Sequence, residues 1–489
     1  MRNFTTIILL SLALAVTAKN PEAFGQEKIL KVSLDEITGL ALQNNFDIQL
    51  SKYDAWIKEK DEMDSRSVYD TLFEAEVKYH KDESAQSTIF TGTQNSENDY
   101  NIGLSKKLPT GTTVGAAMTN ERDSSNSAFT TAPLTHESTL ELSVEQALGK
   151  NFFGIQDRGE VKLTVLDIEN TKYTSLNKIE QSIADVQQAY WDLVLQSERV
   201  DIEKDMVEQA KKLFDLQQKK LKDGLVELPD AIASEANYER SKNRLLLAQN
   251  TYKRKENVLK LLINNTDAEI LIVPMDKFSI PETQIPSADA LQKAFINRRD
   301  YKQVMNEIKA NDIQLTMGKN DLWPDINLTA SLARNGLGDH FKDSARAITA
   351  EDNPNFFAGL TFVLPLENRE ARSQLKAAEL QKARVLLDAK FIEKKISIDI
   401  IDQVRDCNIF AEVARNEQMI SELQMKKLEE ELKRFNHGRS DTDTIIRFQE
   451  DLILARLAAA EAKFQYHISV IDLNRKEATL LSKYWDEKF

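Results

Sequence analysis

The chain has 489 residues; 29% are charged and the net charge is −14, with a pI near 5.1. Such an acidic balance excludes the basic surface that nucleic-acid binding needs. With 15 Gly and 10 Pro the chain favours long regular elements, and its single cysteine, Cys407, excludes a disulfide framework.

The N-terminus, "MRNFTTIILLSLALAVTAKN", has Arg2 ahead of an apolar run from Ile7 to Val16. This predicts a signal peptide within 1–25, cleaved after residue 18 or 25. The run is too short to cross a bilayer, and no cysteine stands at the cleavage site to carry a lipid. No later stretch holds 18 consecutive apolar residues, so any membrane insertion of the mature chain must use something other than helices.

Residues 26–272 read as a first repeat. A helix over 33–66 opens on Ser33 and Glu36, the spacing of a capping box. Strands follow at about 72–80 and within 99–146. Phe73, Ala75, Val77 and Tyr79 alternate with Glu74, Glu76, Lys78 and His80, and Leu140, Leu142 and Val144 alternate with Glu141, Ser143 and Glu145. A long helix over 155–222 carries Ile179, Val186, Leu193, Val200, Val207, Phe214 and Leu221, spaced by seven. Strict heptads predict left-handed supercoiling against neighbours. Gly224 supplies the left-handed residue that ends this helix, and Pro229 suits the first turn of the next, 230–263.

A linker over 273–286, with Pro274, Pro281 and Pro286, leads into a second repeat, 287–489. Its plan is the same: a helix over 287–322, strands about 325–332 and 356–364, a long helix over 368–437 and a helix over 441–482. In the first half the two short helices laid end to end match the long one. In the second half they exceed it, which predicts a lateral protrusion. The repeat is visible in the letters: Gly224, Ile232, Ala248 and Tyr252 recur 214 residues later as Gly438, Ile446, Ala462 and Tyr466. At ~1.5 Å per residue the long helices reach about 100 Å, which suits a tall hollow wall.

The alternating strands suit either a half-exposed soluble sheet or a membrane barrel with lipid outside and water inside. A secretion signal and 100 Å helices favour the barrel. Four strands of about nine residues can reach across a bilayer, but single-chain barrels need about eight. An open edge in lipid leaves backbone groups unpaired at several kcal/mol each, so the barrel must be shared between copies.

The stretches "SLDEITGLALQNNFDIQLSK" (33–52), "AYWDLVL" (189–195), "LWPDINLTASL", "FFAGLTFVLPLENREARSQL" and the two glycine–helix units together resemble the TolC-like outer-membrane efflux protein family, over roughly 33–483. The resemblance implies a mainly α, internally duplicated fold: a trimeric α-helical barrel, a coiled-coil tunnel, continuous with a shared outer-membrane β-barrel. It implies four strands per subunit, Gly224 and Gly438 as hairpin-tip turns, and a location in the outer membrane of a Gram-negative-type bacterium with a long periplasmic extension. It further implies a homotrimeric, passive exit duct of a tripartite efflux or type I secretion system. Its partners are a periplasmic adaptor (membrane fusion) protein, an inner-membrane pump of RND or ABC type and outer-membrane lipid, with no nucleic acid. The cargoes of such ducts are drugs, metals, small metabolites or unfolded polypeptides.

The sequence departs from the family pattern twice. Residues 109–138, with Val114, Ala116 and Met118 alternating with Thr113, Gly115 and Ala117, form either an extra barrel hairpin or an extracellular extension; four strands per chain is the expectation. At the gate, the family's two aspartates, six and nine residues after the second glycine, are here Thr444 and Arg447. Asp230, Asp441 and Asp443 are the candidate entrance acids, with Arg447 paired to one of them, since rings of like charge select ions. Acids at helix N-termini are equally expected from the helix dipole. Lys222 and Arg439 are the adaptor-docking candidates.

His80, His136, His340, His437 and His467 show no metal-ligand spacing, no nucleophile elbow is present, and "PTGTTVG" lacks the lysine of a phosphate loop. The reading is therefore not an enzyme, with no cofactor and no metal. Trp191 and the small-residue run "ARLAAAEA" (455–462) read as helix packing. The alternative to a channel is a periplasmic coiled-coil scaffold or adaptor-type protein that does not insert.

Overall fold

The structure is a computed structural model, and it describes residues 28–484 apart from 86–89, 91, 131, 266, 268 and 269. The expected signal peptide lies outside the described residues. Two sheets and nine α-helices make up the elements considered below.

The first half runs β1 (Lys28–Val32), α1 (Leu34–Asn44), α2 (Phe46–Arg66), β2 (Thr71–Asp82), β3 (Asn95–Lys107), β4 (Thr112–Ser125), β5 (Leu134–Ala147), α3 (Ile155–Lys222) and α4 (Leu228–Leu262). The second runs β6 (Ile270–Pro274), α5 (Ser287–Asn297), α6 (Arg299–Asp321), β7 (Asp325–Gly338), α7 (Phe341–Ala350), β8 (Pro354–Val363), α8 (Arg369–Asn436) and α9 (Thr442–Lys476).

Both long helices have 68 residues. Beside α3 lie helices of 11, 21 and 35 residues; beside α8 lie helices of 11, 23 and 35. The short helices of the two halves therefore sum to nearly the same length, and the excess expected in the second half is not found among the described residues. The expected helix over 441–482 is shorter in the structure: α9 ends at Lys476, and the residues beyond it form turns. The subunit thus has four parallel rods: α3, α8, and the stacks α2 over α4 and α6 over α9.

Each short N-terminal helix is broken once, which the periodicity did not show. Asn45 and Arg298 take extended backbone (ψ 129° and 124°), splitting α1 from α2 and α5 from α6. Asn45 is both the end of one helix and the cap of the next, its side chain accepting the N–H of Ile48 at 3.0 Å. Ser33 and Glu36 form the expected capping box.

At this level β1 pairs in parallel with β6, Lys28 opposite Ile270 through Val32 opposite Pro274, so the expected linker begins as a strand. Below this pair, Tyr190 donates its hydroxyl to Asp276 at 2.6 Å, and Asp276 also accepts the N–H of Leu34 at 2.7 Å. Ile179, Val186 and Leu193 of the heptad series are fully buried here with Ile37, Ile48 and Leu259. Val200 onward is only half-buried, and Ile202, Met206 and Leu213 take over the inner position. A straight helix drifts by ~20° per heptad, so the buried stripe moves off a strict seven-residue line.

Trp191 is packed as expected. Its ring stacks on His467 with centroids 3.9 Å apart and on Phe278 at 5.3 Å. His467 Nε2 accepts the N–H of Ser279. Burial pushes the imidazole down to about 4, against a weaker upward pull from Ser279 and Asp276. Its ordinary value is 6.5, so the unfolded chain takes up a proton that the folded one refuses. Stability present above pH 6.5 is lost as pH falls toward 4, by about 3 kcal/mol in all at 1.36 kcal/mol per unit. Replacing His467 with Phe keeps the stack and flattens this acid limb. Unfolding followed by Trp191 fluorescence across that pH range checks it.

Candidate functional site

The functional geometry lies at the two ends of the rods. At one end is a six-stranded antiparallel sheet in the order β2-β3-β4-β5-β7-β8. The 109–138 segment supplies β4, a full member paired on both sides, so the expectation of four strands per chain is corrected to six. Short exposed turns and a perfect in-register alternation make the segment a strand; the local pattern around Val114, Ala116 and Met118 was the signal for it.

Register puts one set of side chains on each face. Phe73, Ala75 and Val77 stand opposite Leu104, Ile102 and Tyr100. Leu104 and Ile102 stand opposite Ala116 and Met118, which meet Leu142 and Leu140. Leu142 meets Leu332, and Leu332 meets Phe356. This apolar band crosses all six strands and is uncovered in the single chain: Val77 is 74% exposed and Leu360 65%. Lys106 at one end of the band, and Lys81, Arg122 and Arg334 at the other, belong to the same face by register.

The opposite face is polar and acidic. It holds Glu74 and Glu76, Glu97 and Asp99, Glu121 and Asp123, Glu137, Glu141 and Glu145, with Asp82 and Asp325 at strand ends, against Lys78 and Lys107. No carboxylate of the six strands falls on the apolar face. The carboxylates of Glu97, Asp99 and Glu121 come within 4.8 Å of one another.

Helix α7, unforeseen in the sequence, rests on the apolar side at the far rim. Gly336 and Gly338 are its seat: a Cβ at Gly336 would meet the Ser344 carbonyl oxygen at 2.3 Å. Ser138 and Ser344 hydroxyls bond at 2.8 Å, and Asn120 donates to Ser138 at 2.7 Å. The switch from Leu to Ser and Gly along β5 and β7 marks where the uncovered apolar band gives way to the helix.

At the other end the hairpins turn on Gly224 and Gly438, with φ of 70° and 71°. No atom lies within 4 Å of a Cβ at either, so glycine is there for its backbone conformation alone. Lys222 and Arg439 are exposed beside these turns, as are Leu225 and Leu228 (72% and 60%), which the sequence reading passed over. The two tips lie side by side: Gln217 donates to Thr442 at 2.7 Å, and Asn237 to Gln449 at 3.1 Å.

Asp441 caps α9, accepting the N–H of Thr444 at 2.7 Å, and that bond holds its carboxyl below the usual range. Asp443 is exposed in the first turn of α9, and Asp230 half-buried in that of α4. Thr444 is half-buried. Arg447 is exposed, 5.7 Å from the Phe448 ring, and makes no ion pair with these acids among the described residues.

Solved outer-membrane channels are similar to this chain in overall fold. CmeC of Campylobacter jejuni aligns over 93% of this chain and 87% of its own, at 15% identity and a TM-score of 0.62. VceC from Vibrio cholerae aligns over 91% and 96%, at 13% and 0.65. The open state of MtrE from Neisseria gonorrhoeae aligns over 91% and 89%, at 15% and 0.66. At these identities what is shared is the fold: a long helical body bearing a β domain at one end. No family model matches the sequence, and no curated protein does.

Proposed function

We propose that the protein is the exit duct of an outer-membrane export system. In this reading three copies join into one pipe, with the sheet in the outer membrane and the rods in the periplasm. The observation that carries it is the sorting of the sheet. One face is apolar, exposed and free of carboxylates across six strands; the other is acidic. Both outer strands have an unpaired edge, which lipid does not tolerate in a lone chain. Among the described residues no helix is long and apolar enough to cross a membrane; in this reading the sheet is the inserting element.

The hairpin tips are then the periplasmic entrance. Asp230, Asp441, Asp443, Thr444 and Arg447 surround the opening, and Lys222, Arg439, Leu225 and Leu228 offer charged and apolar contacts to an adaptor carrying cargo from an inner-membrane pump. Conduction is passive and needs no cofactor.

Fractionation tests the reading. The protein should stay with outer membranes through a carbonate wash, run as a heat-sensitive oligomer and conduct ions in planar bilayers. A monomer that washes free and leaves bilayers sealed overturns it.

A further inference from the structure

We infer that the copies close an 18-strand barrel, in which β8 of each subunit pairs antiparallel with β2 of the next. The inference rests on the trimeric duct proposed above and sets its outlet apart from the twelve strands that four-stranded subunits would build.

Three observations carry it. First, every neighbouring pair in the six-stranded sheet is antiparallel, so β2 and β8, the two free edges, run in opposite directions. A copy added at either edge continues the up-and-down order without a break. The facing sides match as well: Phe73, Val77 and Tyr79 on β2 and Phe356, Leu360 and Phe362 on β8 are all on the apolar face and exposed.

Second, β4 is interior. It pairs with β3 over Asn95–Lys107 and with β5 over Leu134–Gln146. Val114, Ala116 and Met118 sit inside the apolar band, and Gly115 lies so close to Ser143 that a Cβ there would meet its Oγ at 2.6 Å. Taking the segment out of the wall as an extracellular extension would divide the sheet.

Third, the arcs agree. Four helix rods packed at 8–10 Å span about 32–40 Å of circumference per subunit. Six strands about 4.8 Å apart and tilted by about 40° span about 38 Å, whereas four span about 25 Å. With six strands the wall passes from helices to sheet at nearly constant width, and the barrel is about half again as wide as a twelve-strand one, since diameter follows strand number.

Single cysteines in a Cys407→Ser background, labelled with an environment-sensitive fluorophore and reconstituted with brominated phospholipid, read this directly. Val114→Cys and Met118→Cys should lose fluorescence to the brominated chains as fully as Leu328→Cys and Leu360→Cys, while Thr113→Cys and Ala117→Cys answer only to soluble iodide. Quenching at 328 and 360 without quenching at 114 and 118 overturns the six-strand wall and leaves the duct standing. No lipid quenching at any of the four overturns both. For the seam, Ala75→Cys combined in turn with Ala358→Cys and Leu360→Cys should give covalent dimers and trimers on oxidation. Intrachain products alone would overturn the β8–β2 pairing.

Discussion

Replacing Arg299 with Met should cost about 3–5 kcal/mol, the penalty of leaving a buried carboxylate without its cation. Arg299, at the first position of α6, pairs with Glu180 in the middle of α3, and both side chains are more than nine-tenths buried. Glu180 also accepts the N–H groups of Leu480 and Leu481, at 2.9 and 3.3 Å. One carboxylate thus ties together the first half, the second half and the C-terminal turns. Burial pushes its pKa above the ordinary 4.5, and the Arg299 guanidinium and the two N–H groups pull back.

A carboxyl whose folded pKa is raised contributes stability that is present below pH 4.5 and lost as pH rises through the folded value. Without Arg299 that value climbs further. The Arg299→Met deficit should therefore be smaller near pH 5 than near pH 8. Adding Glu180→Gln removes the stranded charge while keeping an oxygen for Leu480, so the double variant should be more stable than Arg299→Met alone. Thermal unfolding of the purified oligomer at the two pH values measures both effects. A single variant as stable as the parent, or a double variant no better than the single, would mean that the pair does not hold this junction.

The second large effect is ionic. Eleven carboxylates line one face of the sheet against two lysines, and closing that face around water places them all on the pore. A lumen of one sign, walled by a medium of low dielectric constant, holds a potential of several kT and enriches counter-ions by about tenfold or more. The open channel should then favour potassium over chloride, read as a reversal potential under a KCl gradient. Glu97→Gln, Asp99→Asn, Glu121→Gln and Asp123→Asn together should bring that potential much closer to zero. Arg447→Asp, at the proposed entrance, should move it the other way. A quadruple variant with the parent's selectivity would take the acids of β3 and β4 off the pore; an unchanged Arg447→Asp channel would take Arg447 off it.

How much of this was readable in one dimension depended on how local the physics is. Helix positions followed from heptads and from Gly224 and Gly438, because helix hydrogen bonds and caps join residues within a turn. Asn45 was readable too: an Asn three residues before Ile48 is a cap signal, missed because the apolar period continues across the break. Alternation told which strand residues share a face, since pleating is also local.

The β1–β6 pair joins segments about 240 residues apart and left no periodic trace in five residues. The Glu180–Arg299 pair, α7 on its glycine seat, and β4 as wall rather than extension are likewise contacts between distant segments. The amino-acid order by itself determined the duplication, the two long helices and the two-faced strands. Strand number, the nearly equal short-helix lengths of the two halves and the placing of every acid on one side were decided only in three dimensions. Those depend on which edges and faces meet, and a residue's own neighbours in the chain do not specify that.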